Sequence, residues 1–219
     1  MSAASDRERM TPAQAWANLK AGNERFVEGK PEHPNQGIDR RESLAGGQAP
    51  NVVLFGCSDS RVAAEMIFDQ GLGDMFVVRT AGHIIDSSVL GSLEFATELL
   101  DVPLIAILGH DSCGAVGSTV ESLNGLTIPG GYIRDIVERV GPSILAARAK
   151  GKTRLDEFEA EHVVETGRLL MQRSLLIKER VDRGEVAIVG LTYHLADGRV
   201  SLRDALGEIG EASAESIDG

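Results

Sequence analysis

Leu104-Ile105-Ala106-Ile107-Leu108-Gly109-His110-Asp111-Ser112-Cys113-Gly114 decides the fold of this chain. The first half is a continuous apolar run without alternation, the pattern of a strand covered on both faces. The second half turns polar at once and offers an imidazole and a thiol three residues apart. Three more runs read like the first half: Asn51-Val52-Val53-Leu54-Phe55-Gly56-Cys57, Met75-Phe76-Val77-Val78-Arg79-Thr80 and Val186-Ala187-Ile188-Val189-Gly190-Leu191-Thr192-Tyr193. Helical patterns lie between them: Ser88 to Leu100, Ala115 to Leu123, Tyr132 to Lys150 with an interruption at Gly141-Pro142, and Asp156 to about Arg183. This alternation predicts an α/β fold, a mostly parallel four-stranded sheet with helices on both faces. Val200-Ser201-Leu202-Arg203 follows the Ala196-Asp197-Gly198-Arg199 turn and is expected to add a short antiparallel edge strand.

Outside this unit, Thr11-Pro12-Ala13-Gln14 has the makings of a helix start, with Thr as cap, Pro in the first turn and Gln able to close a capping box. Trp16, Leu19 and Phe26 give the following helix an apolar side, and Gly29 to Pro34 ends it. Residues 1–34 thus read as an N-terminal helical arm, which either packs on its own core or lies over a partner subunit. The tail after about residue 207 is rich in Glu, Ser and Gly and is expected to be loose. No repeat or linker divides the chain, so residues 1–219 are read as one domain.

The 219 residues suffice for one sizeable core, and 42% hydrophobic with 25% charged residues is ordinary for a globular protein. A net charge of -11 repels phosphate backbones and anionic lipid, which argues against nucleic acid and membrane partners. The N-terminal residues form no apolar signal segment, and no apolar run reaches the ~18 residues of a membrane span. A cytoplasmic location is expected.

The chain has only two cysteines. Cys57 opens Cys57-Ser58-Asp59-Ser60-Arg61 at the carboxyl end of the first strand, and Cys113 closes the motif that begins at His110, at the end of the third. Open α/β sheets bind ligands outside the carboxyl ends of their strands. If strands one and three are neighbours, two thiolates and one imidazole meet there. That set suits a tetrahedral zinc with one position left for chemistry. Other chemistries fit worse. A cysteine phosphatase needs Arg six positions after its Cys, where this chain has Ala63. A dinucleotide site needs a Gly-x-Gly-x-x-Gly turn, which Gly56-Cys57-Ser58-Asp59 is not. A closed structural zinc site needs a fourth ligand, and His33, His83, His162 and His194 stand in no comparable motif.

Cys-Ser-Asp-Ser-Arg together with His-x-x-Cys-Gly resembles the β-class carbonic anhydrases, and the likeness runs over nearly the whole chain. Val62-Ala63-Ala64-Glu65 and the stretch from Asp69-Gln70-Gly71 to Arg79-Thr80-Ala81-Gly82 are also typical of that family, its actinobacterial members above all. The resemblance implies that Cys57, His110 and Cys113 ligate Zn2+. It implies that Asp59 and Arg61 form a catalytic dyad, and that Asp59 reaches the metal only in a closed state, when its pairing with Arg61 breaks. It implies reversible hydration of CO2 to bicarbonate by a zinc-hydroxide mechanism. Two thiolates donate more charge than imidazoles do, so activity is expected to favour alkaline pH. A dimer or tetramer follows too, with the N-terminal helix crossing over the neighbour.

Pocket residues carry over from a subgroup resembling plant enzymes. Gln48 lies nine residues before Cys57, Phe76 matches an aromatic partner, and Gly114 follows the last ligand with an N–H for bicarbonate. The resemblance implies that Gln48 and Phe76 face a site that the partner chain completes. The subgroup's pocket Tyr is replaced here by Phe95, which removes a hydroxyl and leaves a COS or CS2 hydrolase as the alternative activity. The other subgroup's inhibitory bicarbonate site needs a Trp-x-Gly segment that is missing near Gly46. His33 and His83 are candidate proton relays. Two rivals remain: a catalytically silent bicarbonate sensor, which has no need for the dyad, and a purely structural zinc protein, which predicts a fourth protein ligand at all pH values.

Overall fold

The computed structural model describes residues 9–210. Five strands form one sheet: β1 (Val52–Cys57), β2 (Met75–Thr80), β3 (Leu104–His110), β4 (Ala187–Tyr193) and β5 (Val200–Leu206). Their order is β2-β1-β3-β4-β5. The first four run parallel, and β5 pairs antiparallel with β4. The edge strand is longer than the four residues expected, because pairing resumes beyond a register shift at Gly190/Leu191 and continues to Leu206.

Every residue of β1, β3 and β4 is buried. The two-residue period sorts them onto two faces. Val52, Leu54, Leu104, Ala106, Leu108, Val189 and Leu191 face one cluster, which includes Ala15, Trp16 and Leu19 of α1 (Pro12–Val27). Val53, Phe55, Ile105, Ile107 and Ile188 face the other, shared with α4 (Ser87–Glu94), α7 (Leu155–Arg173) and α8 (Leu175–Asp182). Between these lie the short α2 (Ile38–Ser43) and α3 (Ala64–Ile67). A third cluster joins α5 (Gly114–Gly125), α6 (Ile133–Ala149) and Phe158 around Cys57 and Cys113.

The arm packs on its own core. Thr11 Oγ1 accepts from Gln14 N–H at 3.2 Å, and Thr11 N–H donates to Gln14 Oε1 at 2.8 Å, completing the capping box. Asp69 ties the arm down: its carboxylate accepts from Arg25 Nε at 2.6 Å and from the N–H groups of Glu32 and His33 at 2.9 Å. Next to it Gly71 is a true glycine position, since a Cβ there would lie 2.0 Å from the Pro34 carbonyl oxygen. α1 buries its apolar side against its own chain, one of the two placements expected of it. Trp16 and Leu19 find their partners in Ile67, Phe68 and the sheet. The start of the tail is anchored too, with Ile209 buried in the same cluster; the rest of the tail, residues 211–219, and residues 1–8 lie outside the described residues.

Three helix boundaries differ from expectation. α6 runs unbroken through Pro142, because Val137, Val140, Ile144 and Ala147 bury one continuous side. The long helix instead breaks at Ser174, whose Oγ accepts from Ile177 N–H at 3.2 Å and donates to Glu94 Oε1 at 2.6 Å, recapping α8. The helix expected over 88–100 is α only to Glu94 and continues as a π-helical turn, Phe95–Leu99.

Candidate metal centre

β1 leads to β2 on one side and β3 lies on its other side, so the strand order reverses between β1 and β3. Cys57 ends β1 and His110 ends β3 at this switch point, and Cys113 caps α5 immediately beyond. The Sγ atoms of Cys57 and Cys113 are 4.0 Å apart. These sulfurs and a ring nitrogen of His110 all lie within 4.8 Å of one another, and this is the one such group among the described residues. Both thiols are free and buried.

The donor set fits a metal on two observations. A tetrahedral zinc with ~2.3 Å bonds sets two sulfurs about 3.8 Å apart, close to the separation seen. His110 Nδ1 lies 2.8 Å from the Asp111 carbonyl oxygen, which can only accept, so Nδ1 carries the proton and Nε2 keeps its lone pair. That Nε2 is buried with no hydrogen-bond partner. A buried polar atom so left is costly unless a ligand takes it.

The electrostatics divide the pair: Cys57 is favoured as the thiolate, while the hydrogen bond with Cys57 and burial push the Cys113 thiol up. The Cys57 thiol is pulled down to about 4, first by the S–H of Cys113, with His110 and the Gly82 N–H helping against burial. Gly82 N lies 3.4 Å from Cys57 Sγ. Burial alone would lower the His110 imidazole; the adjoining Cys57 sulfur outweighs it and raises it. Glu159 stands behind the site. Its Oε1 accepts from Cys113 N–H at 2.7 Å, its Oε2 has no partner, and burial pushes the carboxyl up to about 7.

Arg61 grips Asp59 through two side-chain hydrogen bonds, Nε to Oδ1 at 2.9 Å and Nη2 to Oδ2 at 2.7 Å. The Arg61 backbone N–H adds a third at 2.9 Å. These hold the Asp59 carboxyl far below the usual carboxylate range, the guanidinium being the main cause. Asp59 Oδ2 lies 3.8 Å from His110 Nε2, beside the three-ligand group and outside it. Arg79 braces the motif from β2, donating to the carbonyls of Cys57 at 2.9 Å and Asp59 at 2.7 Å.

Gly114 opens α5 next to Cys113, with open space where a Cβ would stand. Gln48, Phe76 and Phe95 are not brought to this chain's own centre. Phe76 pairs with Val53, four residues before the β2 residue that pairs with Cys57, which is ~13 Å along the strand. Phe95 stacks on it with ring centroids 6.1 Å apart. Gln48 precedes β1 and lines a groove with Arg9, Leu99 and Asp101. His33 sits on the loop after α1 with its N–H on Asp69. His83 is corrected as a proton relay: it is only 2% exposed, and both ring nitrogens are sealed away without partners. Packing of Gly82–His83 between Gly109 and His162 puts it inside. Sequence reasoning missed the supporting roles of Arg79, Gly82, Glu159 and His162. Only Arg79 and Gly82 left a signal, by lying in a motif-like run.

The sequence profile of the family described as "Carbonic anhydrase" matches residues 52–200. Carbonic anhydrase 2 of Mycobacterium tuberculosis (strain CDC 1551 / Oshkosh) is 62% identical over 200 residues, covering 91% of this chain and 97% of that protein. The solved structure of the β-carbonic anhydrase CcaA superposes with a TM-score of 0.69 at 25% identity, over 90% of this chain and 94% of that one. One of two tetrameric β-carbonic anhydrases from Sordaria macrospora shares the fold, with a TM-score of 0.66 at 22% identity, over 85% of this chain and 95% of that one.

Proposed function

Since the chain belongs to the β-carbonic anhydrase family, we propose that it interconverts CO2 and bicarbonate at a zinc ion held by Cys57, His110 and Cys113. The observation that carries this reading is the convergence of two sulfurs and an unpartnered imidazole nitrogen at the switch point, with an ionised carboxylate beside them. Zinc bound there supplies a Lewis acid that lets an attacking water ionise near neutral pH.

The chain's own residues do the rest. Asp59 stays ionised and accepts a hydrogen bond from the attacking water, which orients that water's lone pair toward the carbon of CO2. Arg61 holds both Asp59 oxygens and so keeps the carboxylate off the ligand position, the open arrangement. The Gly114 N–H faces bicarbonate from the start of α5. Gln48, Phe76 and Phe95 serve a neighbouring subunit's site in a dimer or tetramer, which accounts for their distance from their own centre. His33 remains the candidate relay to buffer. Among the described residues no helix is long and apolar enough to cross a membrane, and two free thiols suit a reducing compartment such as the cytoplasm.

Stopped-flow CO2 hydration on zinc-loaded protein from about pH 6.5 to 9 tests the reading. Activity rising toward alkaline pH is expected. Silence across that range, with one zinc per chain confirmed, would overturn it. Parallel assays with COS and CS2 address the alternative raised by Phe95, for which the geometry offers no particular support.

A further inference from the structure

We propose that α7 carries a positioning pair, Glu159 and His162, which holds the two thiolate-bearing turns from behind the metal centre, Glu159 through the Cys113 backbone and His162 through Gly82. The inference rests on the zinc reading above and concerns residues that touch neither metal nor substrate.

Glu159 and His162 are three residues apart on one helix and therefore share a face. They are 2% and 3% exposed. Glu159 Oε1 receives the Cys113 N–H at 2.7 Å and fixes the residue that caps α5. His162 Nε2 lies 2.9 Å from the Gly82 carbonyl oxygen, which can only accept, so Nε2 is the donor. Its Nδ1 then accepts from the Ser143 hydroxyl at 2.9 Å. The Gly82 N–H in turn donates to Cys57 Sγ at 3.4 Å. Two rigid paths thus run from one helix to the two sulfurs.

The turn that carries Gly82 needs such support. Gly82 and His83 both have left-handed φ, +67° and +39°, and only the first is a glycine. A Cβ on Gly82 would lie 2.7 Å from Ala115 Cβ, so the turn also abuts the start of α5. The His83 ring lies against His162 with centroids 4.3 Å apart. Val163, next on α7, sets the helix's height above the sheet. A Cβ at Gly109 would lie 2.5 Å from one of its methyls, and one at Gly190 would lie 2.9 Å from the other. Packing alone argues for an apolar residue at 159, since Glu159 Oε2 is buried without a partner. A side chain that breaks this local rule at a site's back wall is expected to serve the site.

The test uses the full chain loaded with cobalt(II), whose thiolate charge-transfer band reports the metal–sulfur bonds directly. Glu159→Leu and His162→Leu are expected to shift that band and to release cobalt to a chelator about 10–100-fold faster than wild type. Glu159→Gln and His162→Gln, which keep the acceptor and the donor, are expected to stay within about threefold. Folded leucine variants with wild-type band and release rate would overturn the proposal. So would glutamine variants that lose the metal as fast as the leucine ones. If the leucine variants do not fold, Ser143→Ala decides: a shifted band supports the path through His162, and an unchanged one overturns it. A wild type with neither a thiolate band nor CO2 hydration would instead sink the zinc reading itself.

Discussion

Arg61 and Asp59 are joined side chain to side chain by two parallel hydrogen bonds, Nε to Oδ1 at 2.9 Å and Nη2 to Oδ2 at 2.7 Å, while Asp59 Oδ2 stays 3.8 Å from His110 Nε2. A planar guanidinium is matched to both carboxylate oxygens, so the pair fixes direction as well as charge.

Arg61→Gln breaks that fork. Asp59 remains ionised at neutral pH, because even an unperturbed Asp titrates near 3.9. The loss is therefore one of position. CO2 hydration is expected to fall about 100-fold with zinc content unchanged. Stopped-flow rates at equal metal occupancy check this, and full activity in the variant would remove Arg61 from the mechanism.

Metal removal should destabilise the chain. The ligand atoms bring two sulfurs and a lone pair together in a buried site, an arrangement that a bound cation stabilises. The chelator-stripped protein is expected to melt at least about 5 °C below the zinc form. Because the ligands must be deprotonated, zinc uptake should release protons and weaken as pH falls. Calorimetry in two buffers of different ionisation heat measures that release. Cys57→Ser is expected to lose stoichiometric zinc.

Asp69 gives the fold an acid limit. Burial works to raise its carboxyl, but the Glu32 N–H, Arg25 and the His33 N–H outweigh burial and hold it below the ordinary range. A depressed carboxylate contributes stability that is complete above the unfolded value near 3.9 and is lost as pH falls through the lower folded value. Asp69→Asn should cost about 2–3 kcal/mol at pH 7, and the gap to wild type should close below about pH 4. Urea melts at the two pH values read this directly.

Leu99 is 69% exposed at the end of the π-helical turn that starts with Phe95, itself stacked on Phe76 of edge strand β2. If this face meets a second subunit, wild type should run at twice the chain mass or more in light scattering. Leu99→Asp should lower that mass and, with it, activity that depends on Gln48 and Phe76. A monomeric, fully active wild type would refute the shared site.

The layers of this fold and the candidate ligands of its centre were legible in the residues alone. Four unbroken apolar runs form strands, and three of them, β1, β3 and β4, are buried on both sides, while β2 at the sheet edge is only half-buried. The ligands announce themselves because thiols and an imidazole at strand ends are rare and chemically specific. Tertiary structure alone decided what depends on distant partners. Whether β1 neighbours β3 is set by the crossover of the chain, and only that adjacency brings Cys57 to Cys113. Pro142 stays inside α6 because packing outweighs its lost hydrogen bond, while Ser174 breaks a longer helix because Glu94, eighty residues away, takes its hydroxyl. Glu159 and His162 look in sequence like ordinary helix residues. Their place behind the sulfurs follows from the height at which Val163 seats α7 over Gly109 and Gly190, a contact between segments that local pattern cannot encode.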